Sequence, residues 1–423
     1  MIKKKRFFIN SVFKWSLFLL LNQINFSRKI SAKSRPKVVV LGAGFGGASC
    51  INYLSNFTDI IDLVVVDKNS WIKTCPFSNL VIGNLLNESN ITFKPKFNSN
   101  IKFVINELKF INAEKKKVFF VDDLSLDYDF LIISPGIGYK EKQIEGYSIN
   151  DNTNIPHCWD GENKISYFKK SLDSLDNNCK VIISCPDYPY RCPPAPYERA
   201  SMIAHFLKGK KNKFKILIFD SKNTFTKKNI FFNEWKKVYG DSIEWISREK
   251  GGLIRRFEKK MVINSDGEKI NGNFIHIIPE QKAGKIIFDS KLCDDDWCKI
   301  NPQTFQLLKF KDIYVVGDSI DAGDMPKSAF SAESQAKILS LNLINRILQK
   351  AYLNPVFLNT CYSFSSHGRA FSITSWYKLN AKKDKIISLG SSQSTEDGLV
   401  DERMRESKEA FGWYESITKN LYG

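Results

Sequence analysis

The 423-residue chain lacks an uninterrupted apolar run of the ~18 residues that a membrane-spanning helix requires. Its nine cysteines include no paired C-x-x-C arrangement that would indicate a zinc site. No arginine-rich or aromatic-interleaved patch indicates nucleic-acid binding, and no internal repeat or low-complexity linker interrupts the sequence. The composition, 43% hydrophobic and 13% aromatic, is instead typical of packed globular domains. We therefore expect no transmembrane segment, no metal and no nucleic-acid partner.

The first 32 residues have the pattern of an export leader. A basic head, Lys3–Arg6, precedes a short apolar centre, Trp15–Leu21, and a small residue, Ala32, ends a polar segment. Lys5–Ile9 faintly resembles a twin-arginine signal in which one arginine is replaced. We expect export to the periplasm, the alternative being a basic tail.

The formal charge of +18 depends in part on this leader. Residues 1–32 carry seven of the positive charges and no acidic residue, which leaves +11 on the mature chain. A basic surface can steer acidic partners. Because lysine and asparagine are frequent along the whole sequence, the charge alone identifies no partner.

A glycine-rich turn follows the first predicted strand, Lys37–Leu41, and opens a helix over Ala48–Leu54. Gly42, Gly44 and Gly47 fit the G-x-G-x-x-G pattern, in which glycines allow a tight turn and close approach of a pyrophosphate. A second strand, Asp62–Val66, ends at Asp67, an acid placed to bind ribose hydroxyls, with Lys68 beside it. The alternative is a tight turn in an α/β domain without a ligand. The combination predicts a dinucleotide site.

Two later segments return to this nucleotide domain. Phe130–Ile133 is a buried strand closed by Ser134-Pro135-Gly136, and Ile313–Val316 is another that runs into Gly317-Asp318. A carboxylate at the end of that strand can bond the sugar-alcohol chain of a flavin, which NAD lacks. A Gly-Asp pair alone is usually only a turn. With the first motif and Gly136, it favours FAD.

A second α/β stretch opens with the strand Cys179–Ser184 and contains a helix over Glu198–Leu207 and a strand at Phe214–Phe219. An enzyme that uses NAD(P)H would carry a glycine-rich loop after the first of these strands. The segment Cys185–Pro194 is rich in proline instead, and proline has no N–H to offer a phosphate. We infer that this stretch has lost nicotinamide binding.

This order of segments predicts an α/β fold. It would have two Rossmann-like dinucleotide-binding domains of the flavin disulfide reductase type and a C-terminal α+β interface domain. The expected boundaries are a leader at 1–32, a FAD-binding domain in two parts (35–145 and 265–350), a second Rossmann-like domain without a functional NAD(P)H site (146–264) and a C-terminal domain (351–423).

Three cysteines stand out by their context. Cys75 follows the ribose acid closely, at a point where such folds approach the flavin ring. Cys192 lies in a proline-bound turn shortly before a helix, where a thiol pKa is lowered, and Cys361 lies far along the chain in Asn359-Thr360-Cys361-Tyr362. Each is more often a structural or buried cysteine than a catalytic one. For Cys293 and Cys298, a local disulfide and two unrelated thiols both remain open.

Taken together, these motifs resemble the flavoprotein subunit of flavocytochrome c sulfide dehydrogenase, a relative of the sulfide:quinone oxidoreductases. RCPPAPYERAS and LNTCYS are the most specific of the similar stretches, and the similarity covers nearly everything after the leader. The similar stretches are Lys37–Gly47, Thr74–Asn79, Arg191–Ser201, Gln281–Gly284, Val316–Asp318, Met325–Gln335, Leu358–Ser363 and Trp413-Tyr414.

The resemblance implies roles for individual residues. Cys75 matches the cysteine that tethers FAD covalently, and Cys192 and Cys361 match the redox-active disulfide beside the flavin. Glu198 matches the acid suggested as a proton acceptor, and Lys327 falls where a cation would stabilise the reduced flavin. The cofactor-binding residues expected from the motifs and the resemblance are Gly42, Gly44, Gly47, Asp67, Lys68, Cys75, Asn79, Gly136, Gly317, Asp318 and Lys327.

The resemblance also implies a reaction. Sulfide would attack the disulfide, and its electrons would pass through FAD to a cytochrome c subunit that carries haem c. One alternative is a sulfide:quinone oxidoreductase, although Asp401–Gly423 is too highly charged to resemble a membrane-seating helix. Another is a flavin electron-transfer subunit that does not oxidise sulfide. Cys50, Cys158, Cys185 and Cys293 have no place in the family's pattern.

Overall fold

The computed structural model describes residues 35–150, 157–159, 164–210 and 213–423. The predicted export leader, residues 1–32, lies outside the described residues. The strands are β1 (Lys37–Leu41), β2 (Asp62–Asp67), β3 (Ile72–Lys73), β4 (Thr92–Phe93), β5 (Lys102–Ile105), β6 (Leu108–Asn112), β7 (Lys117–Phe120), β8 (Ser125–Asp127), β9 (Phe130–Ile133), β10 (Ile137–Tyr139), β11 (Cys179–Cys185), β12 (Phe214–Asp220), β13 (Ile243–Ile246), β14 (Ile254–Glu258), β15 (Met261–Asn264), β16 (Lys269–Asn271), β17 (Phe274–Ile277), β18 (Gln281–Ala283), β19 (Ile313–Val315), β20 (Val356–Ser366), β21 (Arg369–Leu379) and β22 (Ile386–Gln393). The α-helices are α1 (Phe45–Leu54), α2 (Ser78–Ile82), α3 (Ile165–Asp173), α4 (Ala195–Lys208), α5 (Lys228–Tyr239), α6 (Lys285–Asp289), α7 (Ala329–Ile347) and α8 (Val400–Tyr422).

A parallel sheet with the strand order β19-β9-β1-β2-β5 forms the first nucleotide-binding unit. Its central strand, β1, is a β-branched run whose residues Val38–Leu41 are buried, as expected for a strand covered on both faces. Helices α1 and α7 pack against each other beside this sheet. Because the strands are parallel, the glycine turn after β1, Asp67 and Gly317-Asp318 all lie along their carboxyl ends.

A second parallel sheet has the order β13-β12-β11-β17. Its core is apolar, with Val181, Ile182 and Ile183 of β11 fully buried. The strand β17 pairs with β11 through Val181 and Phe274, although it comes after the predicted domain boundary at residue 264. The loop after β11 leads into α4, which carries Glu198.

The C-terminal part consists of the antiparallel sheet β20-β21-β22 and the long helix α8. Strand β20 packs against both α4 and α7. Cys361 lies in the middle of β20, so this packing brings it between elements of the two nucleotide-type units.

The fold class predicted from the sequence is confirmed: two parallel α/β sheets and a C-terminal α+β part are present. The predicted strands match the observed ones to within a residue, whereas α1 begins at Phe45 rather than Ala48 and α4 begins at Ala195. Proline at the first positions of α4 is compatible with a helix start, because its missing N–H would have no partner there. Among the described residues, no helix is both long and apolar enough to cross a bilayer.

Candidate flavin and dithiol site

A cavity of about 1660 Å³ lies at the carboxyl edge of the first sheet. Twelve of the fourteen predicted site residues line it, and the two that do not are Gly47 and Lys327. The twelve are Gly42, Gly44, Asp67, Lys68, Cys75, Asn79, Gly136, Cys192, Glu198, Gly317, Asp318 and Cys361. The cavity therefore joins the dinucleotide motifs of the first unit to the cysteines of the second and third.

The glycine turn has the conformation that the sequence predicts, and a side chain is excluded at Gly42 and Gly47 for steric reasons but not at Gly44. Gly42 has φ +93°, and a Cβ there would lie 2.5 Å from the carbonyl oxygen of Ser134. A Cβ on Gly47 would lie 1.8 Å from the carbonyl oxygen of Gly42, so this residue allows α1 to pack on the turn although it does not face the cavity. A Cβ on Gly44 would meet no protein atom within 4 Å, so the space beside it belongs to the cavity.

Asp67 holds the turn after β1 in place and faces the cavity. Its carboxylate accepts hydrogen bonds from the backbone N–H of Ala43 at 2.8 Å and of Asn69 at 2.8 Å. Each carboxylate oxygen has a second lone pair, so both can still accept ribose hydroxyls. The N-terminus of α1 points at the same space and favours a phosphate there.

Asp318 has one oxygen in use and one without a partner. Its Oδ2 accepts a hydrogen bond from Nε of Arg191 at 2.6 Å. Its Oδ1 is buried and has no hydrogen-bond partner among the described residues. A buried acceptor of this kind requires a donor, and a hydroxyl of a flavin's sugar-alcohol chain would supply one. The residues present thus fit a flavin.

Lys327 is buried, but its contacts differ from those of a residue that faces a flavin. Its ammonium donates to the carbonyl oxygens of Asp318 at 2.9 Å and Ile320 at 2.6 Å, and it lies 3.5 Å from the ring centroid of Trp297. Burial lowers its pKa to about 8. In this structure Lys327 holds the segment that carries Asp318, and its action on a reduced flavin stays a prediction.

Cys75 lies between β3 and α2, on the wall of the cavity. Burial raises the pKa of its thiol, and the nearby charge of Arg191 opposes that rise.

Asn79 lies in the first turn of α2, where its side-chain amide donates to Glu198 at 2.7 Å and accepts from Arg199 at 2.8 Å. Asn79 thus lines the cavity and links it to α4.

Cys192 and Cys361 both line the cavity, and each is a free thiol in this structure. Their charges interact, since ionisation of Cys361 raises the pKa of Cys192. The expectation of a lowered thiol pKa at Cys192 is wrong. Burial raises it well above the usual value, and this outweighs any effect of the N-terminus of α4.

Glu198 connects the two cysteine-bearing elements. Its Oε2 accepts from Asn79, and its Oε1 accepts from the backbone N–H of Phe364 on β20 at 2.9 Å. Burial raises the pKa of this carboxyl group, which makes it a better proton acceptor than an exposed glutamate. The site therefore contains a basic carboxylate within the same wall as both thiols.

Sequence reasoning missed three polar residues of the site. Arg191 bonds Asp318, Asn359 contacts the sulfur of Cys361, and Lys227 is buried behind β20. Arg191 and Asn359 lie within the RCPPAPYERAS and LNTCYS stretches, which was the available signal. Lys227 belongs to no motif, and in a chain with this many lysines nothing distinguishes it before folding.

The corresponding edge of the second sheet is filled by side chains. Asp220, at the end of β12, is fully buried and accepts from Tyr197 Oη at 2.5 Å, Trp245 Nε1 at 2.8 Å and Lys222 Nζ at 2.5 Å. Lys222 also donates to the carbonyl oxygen of Pro186 at 2.6 Å. An acid at this strand end would bind ribose in a nucleotide site. In this structure the hydrogen-bond donors to Asp220 are three protein side chains instead of ribose hydroxyls.

The glycine turn, the unpaired oxygen of Asp318 and the two parallel sheets define a class of protein. The chain is a flavoprotein oxidoreductase, and residues 36–173 match the family described as pyridine nucleotide-disulphide oxidoreductase.

Two further family matches narrow the class. Residues 166–279 match the central part of the sulfide dehydrogenase (flavocytochrome c) flavoprotein chain, and residues 353–422 match the flavin-binding part of flavocytochrome c sulphide dehydrogenase. The flavoprotein chain of sulfide dehydrogenase from Chlorobaculum thiosulfatiphilum is 47% identical over 45 residues, which are 11% of this chain and 94% of that sequence. The chain belongs to the flavocytochrome c sulfide dehydrogenase flavoprotein family, which is related to the sulfide:quinone oxidoreductases.

The relation to sulfide:quinone oxidoreductases rests on both sequence and fold. The mitochondrial enzyme of Dictyostelium discoideum is 25% identical over 347 residues, covering 76% of this chain and 73% of that one. The structure of the enzyme from Aquifex aeolicus superposes with a TM-score of 0.67 at 15% identity, covering 91% of this chain and 92% of that one. At that identity the superposition shows a shared fold.

Proposed function

We propose that this protein oxidises sulfide through a Cys192–Cys361 disulfide and covalently bound FAD, and passes the electrons to a cytochrome c subunit. One observation carries the proposal. Cys192 and Cys361 come from different parts of the chain, yet both line the cavity that the glycine turn and Asp318 also line. The family matches support a flavin and a sulfur substrate.

The residues that would hold FAD form two groups along the cavity. Gly44 and the N-terminus of α1 would receive the pyrophosphate and Asp67 the ribose, while the unpaired oxygen of Asp318 would accept from the sugar-alcohol chain. Cys75 supplies the sulfur for a thioether link. Bound FAD would supply the capacity to take an electron pair from a thiolate and to release the two electrons one at a time to a one-electron acceptor.

The protein's own residues account for the sulfur step. In the oxidised form, HS⁻ attacks one sulfur of the disulfide, a sulfur–sulfur bond to the substrate forms, and the bond between the cysteines breaks. One cysteine becomes a persulfide and the other a thiolate. Glu198 accepts the substrate's proton, a role that its raised pKa supports.

Sulfide, rather than a nicotinamide, is the proposed electron donor. The acid that would bind ribose in the second unit, Asp220, is buried and bonded to three side chains. The loop Cys185–Pro194 offers prolines where a pyrophosphate needs backbone N–H groups. Both features support the proposal that the second Rossmann-like domain has a structural role and does not bind a nicotinamide nucleotide.

A cytochrome c is the preferred acceptor because of the surface of α8. Apart from Leu399, Val400 and Met404 near its start, the exposed side of this helix is mostly polar. Its exposed residues include Asp401, Arg405, Lys408, Glu409, Glu415 and Lys419. Such a face suits a protein contact better than a lipid surface. The similarity to sulfide:quinone oxidoreductases makes a quinone the second candidate.

Purification from the native source, with a visible spectrum, tests the assignment. We expect flavin and haem bands in one complex, and anaerobic bleaching of the flavin band by sulfide but not by NADH or NADPH. The predicted leader implies that the complex is recovered from the periplasmic fraction. Flavin that NADH bleaches, or flavin that sulfide leaves oxidised, would contradict the proposal.

A further inference from the structure

The two thiols of the cavity have different hydrogen-bond surroundings. The side-chain amide of Asn359 donates to the sulfur of Cys361 at 3.4 Å. Its oxygen accepts from the hydroxyls of Ser328 at 2.6 Å and Ser331 at 3.2 Å, which orients the amide group. In contrast, no hydrogen bond reaches the sulfur of Cys192 from the described part of the chain. A thiolate at Cys361 would therefore have a donor that one at Cys192 lacks.

A buried cation adds to this asymmetry. Lys227 precedes α5, and its ammonium donates to the carbonyl oxygen of Cys361 at 2.9 Å and to the hydroxyl of Ser363 at 2.8 Å. The bond to the carbonyl of Cys361 ties the cation to that residue. The titratable groups that face Lys227 are Cys361 on β20, Glu198 on α4, Cys192 before α4 and Glu406 on α8. Burial lowers its pKa to about 8, so it is charged at neutral pH.

Lys227 and Glu198 together fix the stretch of β20 that contains Cys361. The lysine bonds at Cys361 and Ser363, and the glutamate accepts from the N–H of Phe364. Both side chains come from the second α/β unit. The position of the Cys361 sulfur is thus set from the same unit that carries Cys192.

We propose that Lys227 and Asn359 make Cys361 the leaving thiolate, so that HS⁻ attacks Cys192 and the persulfide forms there. This inference rests on the proposed function. The new bond joins the sulfide sulfur to Cys192, the bond between Cys192 and Cys361 breaks, and its electron pair stays on Cys361. The proton of HS⁻ passes to Glu198, so the two negative charges that enter, on HS⁻ and on the Glu198 carboxylate, remain as the Cys192 persulfide anion and the Cys361 thiolate. Thiol–disulfide exchange proceeds faster through the sulfur that leaves as the more stable thiolate. Lys227 is a positioning residue, since it bonds the backbone of Cys361.

The location of the extra sulfur tests the proposal directly. The oxidised holoprotein would receive one equivalent of sodium sulfide without oxygen, be quenched with excess iodoacetamide in denaturant, and be digested for mass spectrometry. We expect one additional sulfur on the Cys192 peptide and plain alkylation of Cys361. An additional sulfur on Cys361 overturns the assignment but leaves sulfide oxidation intact. Its absence from both peptides overturns the proposed function as well.

Substitution of the cation gives a second, independent readout. In Lys227→Met, the rate of disulfide opening by sulfide should fall roughly tenfold, because the residue that carries the leaving thiolate loses the buried cation bonded to it. The wild-type rate should also decline as pH rises through about 8, where Lys227 loses its proton. This decline should vanish in Lys227→Met and move to higher pH in Lys227→Arg. Lys228→Met, which removes a neighbouring lysine stacked on Trp245, is the matched control.

A second variant covers the case in which Lys227→Met does not fold. Asn359→Asp keeps the shape of the side chain but places a carboxylate where the amide donates to Cys361. Alkylation of the reduced protein at increasing pH should then show a higher pKa for Cys361 than in the wild type. An unchanged pH profile in Asn359→Asp, or in a folded Lys227→Met, overturns the proposed role.

Discussion

At the scale of single residues, Cys75 allows a direct test of whether the flavin is covalently attached. It lines the cavity beside Arg191 and Asp318. We expect acid precipitation of the wild-type protein to leave the yellow colour in the pellet, because a thioether survives this treatment. Cys75→Ser should release the colour into the supernatant, while Cys293→Ser, which lies outside the cavity, should behave as the wild type does. Colour in the wild-type supernatant would rule out the link.

Glu198 gives a second prediction at this scale. Because burial raises its pKa, the carboxylate that accepts a proton forms only above that raised value. Sulfide-dependent flavin reduction should therefore increase as pH rises through it. Glu198→Gln should remove this increase and slow the step by about 10²- to 10⁴-fold. Stopped-flow measurement across pH would check this, with Glu244→Gln, an exposed residue of the second sheet, as control.

Residue by residue, the sequence predicted those parts of the site that depend on backbone geometry. Gly42, Gly44 and Asp67 lie where the βαβ pattern places them, because that pattern is local in sequence. Lys227 was missed because its contacts with β20 join positions more than 130 residues apart. The direction predicted for the thiol pKa of Cys192 was wrong. A nearby helix N-terminus predicts a lowered pKa, but the burial that raises it depends on the folded structure.

At the scale of elements, the turn between β1 and α1 separates folding from cofactor binding. Gly47→Ala should disrupt both, since its Cβ would overlap the carbonyl oxygen of Gly42. Gly44→Ala should fold normally, because its Cβ meets no protein atom, yet it should bind FAD weakly because the methyl group enters the cavity. Circular dichroism and flavin content measured on both variants would test this. A Gly44→Ala protein with full flavin content would contradict the assigned pyrophosphate position.

Buried apolar strands were predictable from the sequence, whereas short, partly exposed strands were not. β1, β9 and β11 are continuous apolar runs, which the sequence shows directly. The antiparallel sheets β6-β7-β8 and β14-β15-β16 consist of strands of three to five residues that are partly exposed. Whether such a segment forms a strand depends more on the strands it pairs with than on its own amino-acid composition. Strand β17 is buried, but its pairing with β11 joins Val181 to Phe274, a long-range contact that the sequence does not show.

At the scale of the whole molecule, the excess of basic residues has a consequence for the acceptor. With a charge of +18 over the full chain, or +11 without the leader, the protein should attract acidic proteins at low ionic strength. We expect sulfide-dependent reduction of an acidic c-type cytochrome to be faster than that of a basic one. The difference should shrink as salt rises from about 0.01 M to 0.15 M, because screening shortens the range of the charges.

Quinone reduction measured under the same conditions provides the comparison. A water-soluble quinone analogue carries no charge that this surface would attract, so its rate should not depend on salt. If the quinone is reduced and neither cytochrome is, the second candidate function replaces the first.

The buried Asp220–Lys222 pair at the edge of the second sheet has an evolutionary consequence. A nicotinamide site at this edge would require the side chains around Asp220 to withdraw, and each of them has a buried partner. Removing Lys222 alone would leave a buried carboxylate without its cation, at a cost of about 3–5 kcal/mol. A nicotinamide site could therefore arise here only through destabilised intermediates when changes come one at a time. The packing of this edge therefore opposes the gain of a nicotinamide site by single substitutions.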